Sequence, residues 1–303
     1  MRRLPFHTLD VFTTRPYAGN PLAVVLEADG LSDAQMQQVA REFNLSETIF
    51  VQAPGDTAHT AGVRIFFPNG EIPFAGHPTI GCAILLATLG AAPDDPLDVT
   101  ITLEERAGLV PVHVTRRDGH PHAIFTAPVV PVEVPASGVD AASAARALGL
   151  RPSDIGFGGH APRAFEGGPR FLHLPLATRD ALARARPIEP HWSAIVDAVG
   201  TDAGYCYTPG GDHPDTAYRA RMFAPTALTP EDPATGSATA LLAAQLLVSE
   251  ALGNGTHRWR LEQGYEMGRP SDLVLEADVV AGRLAAVRVA GHAVPVMSGH
   301  VAI

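Results

Sequence analysis

The chain has 303 residues, enough for two domains with full cores, and 46% of them are hydrophobic, as in a folded globular protein. A formal net charge of −10 with no long Lys/Arg run argues against nucleic acid as a partner. Cys82 and Cys206 make no disulfide framework, the start Met1-Arg2-Arg3-Leu4-Pro5-Phe6-His7 is no signal peptide, and no stretch reaches the roughly 18 apolar residues that span a bilayer. These features predict a soluble cytoplasmic protein that binds neither nucleic acid nor membrane.

Phe6-His7-Thr8-Leu9-Asp10-Val11-Phe12 reads as a first strand, Gly19-Asn20-Pro21 as a turn, and Leu22 to Leu26 as the returning strand. Ser32 and Gln35 predict a capping box that opens a helix with Met36, Val39, Ala40 and Phe43 on its apolar face. Asn44 can end that helix in a left-handed conformation. Thr48 to Val51 and Arg64 to Pro68 read as strands, and Pro78 suits the first position of a helix running to about Leu89, stopped by Gly90.

The second half repeats this order. Arg170 to Leu174 reads as a strand, Trp192 to Val199 as a helix stopped at Gly200, Tyr205 to Tyr207 and Arg221 to Pro225 as strands, and Thr235 to about Ala251 as a helix. One motif is written twice. Arg64-Ile65-Phe66-Phe67-Pro68, His77-Pro78 and Gly81-Cys82-Ala83 answer to Arg221-Met222-Phe223-Ala224-Pro225, Asp232-Pro233 and Gly236-Ser237-Ala238. In that register His77 falls opposite Asp232. The two repeated helices are apolar all round, so each is expected inside a curved sheet. A looser recurrence of a generic β-α-β pattern is the alternative.

The start of such a helix offers N–H groups and a dipole to an anion. Gly76-His77-Pro78-Thr79 and Asp232 to Ser237 would line two such mouths, where a carboxylate substrate or a developing enolate-like oxygen could be held. The plainer reading makes Asp232, Thr235 and Ser237 caps and His77 a turn residue. Glu47, between a helix end and a buried strand, would be partly desolvated and suited to proton transfer. By itself it reads more simply as a solvated strand start. The thirteen histidines include no pair at metal-ligand spacing, His120 and His122 look like part of a hairpin, and the glycines at 156–159 and 210–211 lack the flanks of a phosphate loop. Cys82, one turn inside a buried helix, is expected only to pack.

The chain resembles the PhzF-like family, named for the phenazine-biosynthesis isomerase. The resemblance rests on Asp10-Val11-Phe12, Gly19-Asn20-Pro21, Ser46-Glu47-Thr48, Pro73 to Thr79, Glu231 to Ala238, Gln263-Gly264 and Gly268-Arg269-Pro270-Ser271, in order along essentially the whole chain. It implies an α+β fold of the diaminopimelate epimerase type, with two pseudo-symmetric domains. Each would have a curved, mostly antiparallel sheet around a central apolar helix, with the site in the cleft between them. The expected domains are 1–118 plus about 284–303, and 119–283. The resemblance makes Glu47 the general acid/base, with Ser46, Gly76, His77, Asp232, Gly236 and Ser237 binding the substrate. It implies no cofactor, no metal, a small carboxylate substrate and a homodimer. The name-giving enzyme acts on trans-2,3-dihydro-3-hydroxyanthranilate.

Two other functions compete. An amino-acid epimerase or racemase on the same fold would use two thiols at the helix mouths, where this chain has His77 and Asp232. A non-catalytic small-molecule binding protein would not need the carboxylate of Glu47.

Overall fold

The computed structural model describes residues 2–92, 95–225 and 230–303. They divide into two units, one of the chain up to Pro128 with Ala290–Ile303, the other of Val129–Val289. The divisions therefore fall later than the expected 118 and 284. Asp118-Gly119 is the tight turn of a hairpin, with both residues at positive φ, so the strand after it stays with the strand before it.

In the first unit β1 (Arg3–Val11) pairs antiparallel with β2 (Asn20–Val25). Helix α1 (Asp33–Phe43) then crosses over to β3 (Glu47–Gln52), which runs parallel to β2. Ser32 and Gln35 form the capping box, and Asn44 ends α1 at φ 51. A hairpin of β4 (Ala61–Phe67) and β5 (Gly70–Ile72) leads into α2 (Gly76–Thr88). Beyond α2, β6 (Asp98–Glu105) lies parallel to β4 and continues as a meander through β7 (Gly108–Arg117) and β8 (His120–Thr126).

The second unit repeats the plan. After β9 (Val132–Val134) and α3 (Ala141–Leu148) come β10 (Arg163–Glu166) and β11 (Arg170–Pro175) as an antiparallel pair. Two short helices, α4 (Arg179–Arg184) and α5 (His191–Asp197), lead to β12 (Gly204–Pro209), parallel to β11. β13 (Thr216–Phe223) pairs with the two-residue β14 (Glu231–Asp232), and α6 (Gly236–Ser249) follows. β15 (Gly255–Gln263) is parallel to β13, and β16 (Ser271–Val280) is antiparallel to β15.

The last strand, β17 (Arg283–Ala302), begins in the second unit and ends in the first, where it pairs with both β1 and β8. The strands of the first unit thus close into a ring in the order β1-β2-β3-β4-β6-β7-β8-β17. Helix α2 lies within this ring, buried at every residue from Gly76 to Leu85, which is why it has no polar face. Each of Ile80, Ile84 and Leu85 contributes about 1.5–3 kcal/mol by that burial. Gly81 lets the helix sit against the strands, since a Cβ there would come within 2.6 Å of Leu22 Cδ2 and 2.8 Å of Val11 Cγ2. In the second unit α6 is buried in the same way and packs on β9, β10, β11 and β16. No helix among the described residues is long and apolar enough to cross a membrane.

The duplication is real, but its register differs from the one read in the sequence. In the first unit Phe66 pairs with Glu71, whose carboxylate holds Arg64, and α2 begins five residues later at Gly76. In the second, Phe223 pairs with Glu231, whose carboxylate holds Arg221, and α6 begins five residues later at Gly236. Gly76 therefore answers to Gly236, His77 to Ser237, and Asp232 to Ile72. Neither helix opens at a proline. Pro78 is the third residue of α2 and Pro233 lies before α6, so matching the two prolines slips the register by five residues.

Candidate active site

The candidate site residues of the first unit stand where three of its elements converge. The parallel register of β2 and β3 sets Glu47 beside Leu22, two residues from Asn20 at the start of β2. Asn44 turns the chain out of α1 in a left-handed conformation, and the buried Ser46 directly precedes β3. Helix α2 then presents His77 from its first turn.

His77 is 4% exposed and sits between two polar groups. Its Nε2 is 3.4 Å from Glu47 Oε2, and its Nδ1 is 3.3 Å from the Asn20 amide nitrogen. Burial drives the imidazole pKa down to about 3, against a smaller upward pull from the Pro21 carbonyl, so the ring is neutral. The contact with Glu47 is therefore no ion pair. The tautomer of the ring sets which of Nδ1 and the Asn20 amide donates across this 3.3 Å contact. The Glu47 side chain is 19% exposed, partly withdrawn from water yet reachable, in keeping with the desolvated carboxylate expected at this place.

The N–H groups of Gly76 and His77 open the helix, Pro78 has none, and the first helical bond runs from Thr79 N to Ala75 O. This mouth can attract an anion through its dipole. Beneath it Thr79 Oγ1 lies 2.7 Å from Ala75 O and 2.6 Å from Glu105 Oε1. Glu105 is buried, and burial raises its pKa to about 8, partly offset by the hydroxyl of Thr79.

The remaining predicted site residues belong to the second unit. Asp232 ends β14, and its Oδ2 accepts a 2.6 Å bond from Thr235 Oγ1. Gln263 braces both: its Nε2 donates to the Asp232 carbonyl at 2.8 Å and to Thr235 Oγ1 at 3.0 Å, and its Oε1 accepts from Thr235 N at 3.1 Å. The turn after Gln263 requires glycine, because Gly264 has φ +76 and a Cβ would lie 2.4 Å from Arg269 O. Gly236 and Ser237 are the first two residues of α6, and Ser237 is half-buried. Thr235 is the N-cap residue but makes no side-chain bond to the helix. Its hydroxyl goes to Asp232 instead, so Thr235 and Asp232 are more than a helix cap.

Glu47, His77, Ser46 and Gly76 thus share one unit, and Asp232, Gly236 and Ser237 share the other. Asn20, Glu105 and Gln263 were not recognised as site residues from the sequence. Gln263-Gly264 stood in the family pattern without a role, and Asn20 read as a turn residue. The cysteines have no thiolate character. Both are fully buried, which pushes the Cys206 thiol up to about 12 and that of Cys82 higher still, with Glu105 adding to the rise at Cys82. Two-thiol proton transfer is disfavoured on that ground. No group of three or more His, Cys, Asp or Glu among the described residues is placed to hold a metal ion.

A model of phenazine biosynthesis-like proteins, PhzC-PhzF, matches residues 9–299. The chain belongs to this family. It is 36% identical over 284 residues to the trans-2,3-dihydro-3-hydroxyanthranilate isomerase of Pseudomonas aeruginosa, covering 94% of each chain. It is 41% identical over 293 residues to an uncharacterized isomerase of Mesorhizobium japonicum, covering 96% of each. A crystal structure of a PhzF-family phenazine biosynthesis protein from Bacillus anthracis superposes with a TM-score of 0.89 at 23% identity over 100% of both chains, a match that bears on the fold. The fold is the sheet-dominated α+β type expected for the family, and the chain is an isomerase.

Proposed function

We propose that the protein is a cofactor-independent isomerase that moves a proton within a small unsaturated carboxylate, of the trans-2,3-dihydro-3-hydroxyanthranilate kind. Glu47 is the general acid/base. It takes a proton from an activated carbon and returns it elsewhere on the conjugated system. The observation that carries this reading is the pair Glu47–His77 at the mouth of α2, with the imidazole neutral and its Nε2 3.4 Å from the carboxylate. A neutral imidazole neither competes for the shuttled proton nor fixes the carboxylate in a permanent ion pair. The ring packs beside Glu47, Ser46 directly precedes it in the chain, and Gly76 opens the helix whose free N–H groups favour the substrate's negative charge.

Asp232, Gly236 and Ser237 are assigned to substrate binding in this reading, the aspartate held in place by Thr235 and Gln263. The 36% identity to the Pseudomonas aeruginosa enzyme over nearly the whole chain supports that substrate class. The test is turnover of trans-2,3-dihydro-3-hydroxyanthranilate in deuterium oxide. The reading expects solvent deuterium in the product of the wild-type protein and none with Glu47→Gln. Exchange that survives in Glu47→Gln would overturn it.

A further inference from the structure

Two short O···O contacts meet at Thr79 Oγ1, 2.7 Å to Ala75 O and 2.6 Å to Glu105 Oε1. Each contact needs a hydrogen between the oxygens. A carbonyl carries none and a threonine hydroxyl carries one. If that hydrogen points to Ala75, the second must belong to Glu105. The carboxyl is then a neutral acid that donates to Thr79, which donates to the carbonyl at the N-cap of α2. Glu105 is 8% exposed, and its Oε2 is buried with no hydrogen-bond partner among the described residues, a place a carboxylate oxygen would occupy at high cost.

The second unit has, at the place of Glu105, a residue that cannot ionise. Glu104 accepts from the backbone N–H groups of Gly55 and Asp56, and Glu262 accepts from those of Asp212 and His213. The parallel registers Gly62↔Glu104 and Arg219↔Glu262 place these two glutamates alike. Glu105 therefore answers to Gln263. In one unit Gln263 donates to Thr235, whose hydroxyl donates to Asp232. In the other, Glu105 has the place of Gln263 but meets the hydroxyl of Thr79, one turn further into its helix than Thr235 is in the second unit.

We propose that Glu105 is a positioning residue held as the neutral acid under the α2 mouth, and that losing its proton sets the alkaline limit for binding a carboxylate at that mouth. As a carboxylate it would claim the Thr79 hydrogen, release that bond to Ala75 O, and place a negative charge behind the helix end that attracts the substrate. The neighbours leave it in control of this step. From α2 it meets Thr79 and the Cys82 thiol, which stays protonated. Gly108 stands opposite it on β7, and Gly62 lies beside Glu104 on β4. Glu104, next in the strand, already takes the loop N–H groups and His59. A proton affinity raised to about 8 places the change in the mildly alkaline range.

The inference rests on the proposed isomerase reading, and the test separates the two. Infrared spectra at neutral pH should contain the carbonyl stretch of a neutral carboxyl, absent in Glu105→Gln and lost from wild type as pH rises through about 8. The kcat/KM for trans-2,3-dihydro-3-hydroxyanthranilate should fall about tenfold between roughly pH 7 and pH 9.5, mostly through KM, as a charge placed near a bound anion requires. Glu105→Gln should remain active at neutral pH and lose that decline. Thr79→Ser, which keeps the hydroxyl, should retain it. Absence of the infrared band, or an unchanged alkaline decline in Glu105→Gln, would overturn the proposal. No turnover by wild type at any pH would defeat the isomerase reading, and the infrared titration would then decide whether Glu105 is the neutral acid.

Discussion

Glu47 and His77 face each other across 3.4 Å, Oε2 to Nε2, from the start of β3 and the first turn of α2. The imidazole is buried and neutral, and its other nitrogen meets the Asn20 amide. A carboxylate beside a neutral ring can gain and lose a proton without breaking a charge pair, which suits a shuttle more than a structural ion pair.

In the proposed mechanism, replacing the Glu47 carboxylate removes the proton carrier and little else. Glu47→Gln should lower kcat by about 10²–10⁴-fold, the usual contribution of general acid/base catalysis, with KM little changed. Steady-state kinetics with trans-2,3-dihydro-3-hydroxyanthranilate and a circular dichroism spectrum matching wild type would check this.

The buried histidine makes the fold acid-sensitive. His77 has an ordinary pKa of 6.5 when unfolded and about 3 when folded, so the unfolded chain binds the extra proton first. Its share of stability is complete above about 6.5 and falls progressively as the pH drops towards 3. His173, buried against the Ala238 carbonyl and lowered to about 4, adds a component of the same sign. Urea unfolding across this range should give a shallower acid decline for His77→Gln than for wild type.

Arg221 ties the second unit together. Its guanidinium grips Glu231 with two bonds of 2.7 and 2.9 Å and donates to the carbonyls of Leu182, Ala183 and Ala185 at the end of α4. Arg221→Ala leaves a half-buried carboxylate and several carbonyls without a donor. A loss of about 3 kcal/mol is expected in urea unfolding, as for a broken buried pair. Activity should also fall, because Glu231 directly precedes Asp232.

Gly81 is needed for space. Gly81→Val should cost about 1–3 kcal/mol by forcing α2 away from Leu22 and Val11. The same shift moves His77 relative to Glu47, so the thermal midpoint and kcat should fall together.

Much of this was legible in the chain. The capping box at Ser32 and Gln35, the left-handed Asn44, and the burial of both apolar helices all follow from local composition and periodicity. Glu47 needed the family pattern, because an acidic residue at a strand start has no local mark of reactivity. The register of the repeat was misread because Pro78 and Pro233 look alike as letters, whereas strand pairing and the two Arg–Glu grips align Gly76 with Gly236. Asp118-Gly119 was taken for a boundary because a turn dipeptide does not say whether the next strand pairs back.

The sequence by itself determined that the chain is duplicated, that each half buries an uncharged helix, and that the chain carries the family's residue pattern. These properties depend on the order of apolar and turn-forming residues, which the chain expresses locally. Tertiary structure alone decided which polar atoms meet. Asn20, Glu47 and His77 converge only because two parallel strands and a buried helix bring together residues up to 57 positions apart. The neutrality of His77 and Glu105 comes from the same packing, since burial, not residue type, sets the cost of a charge.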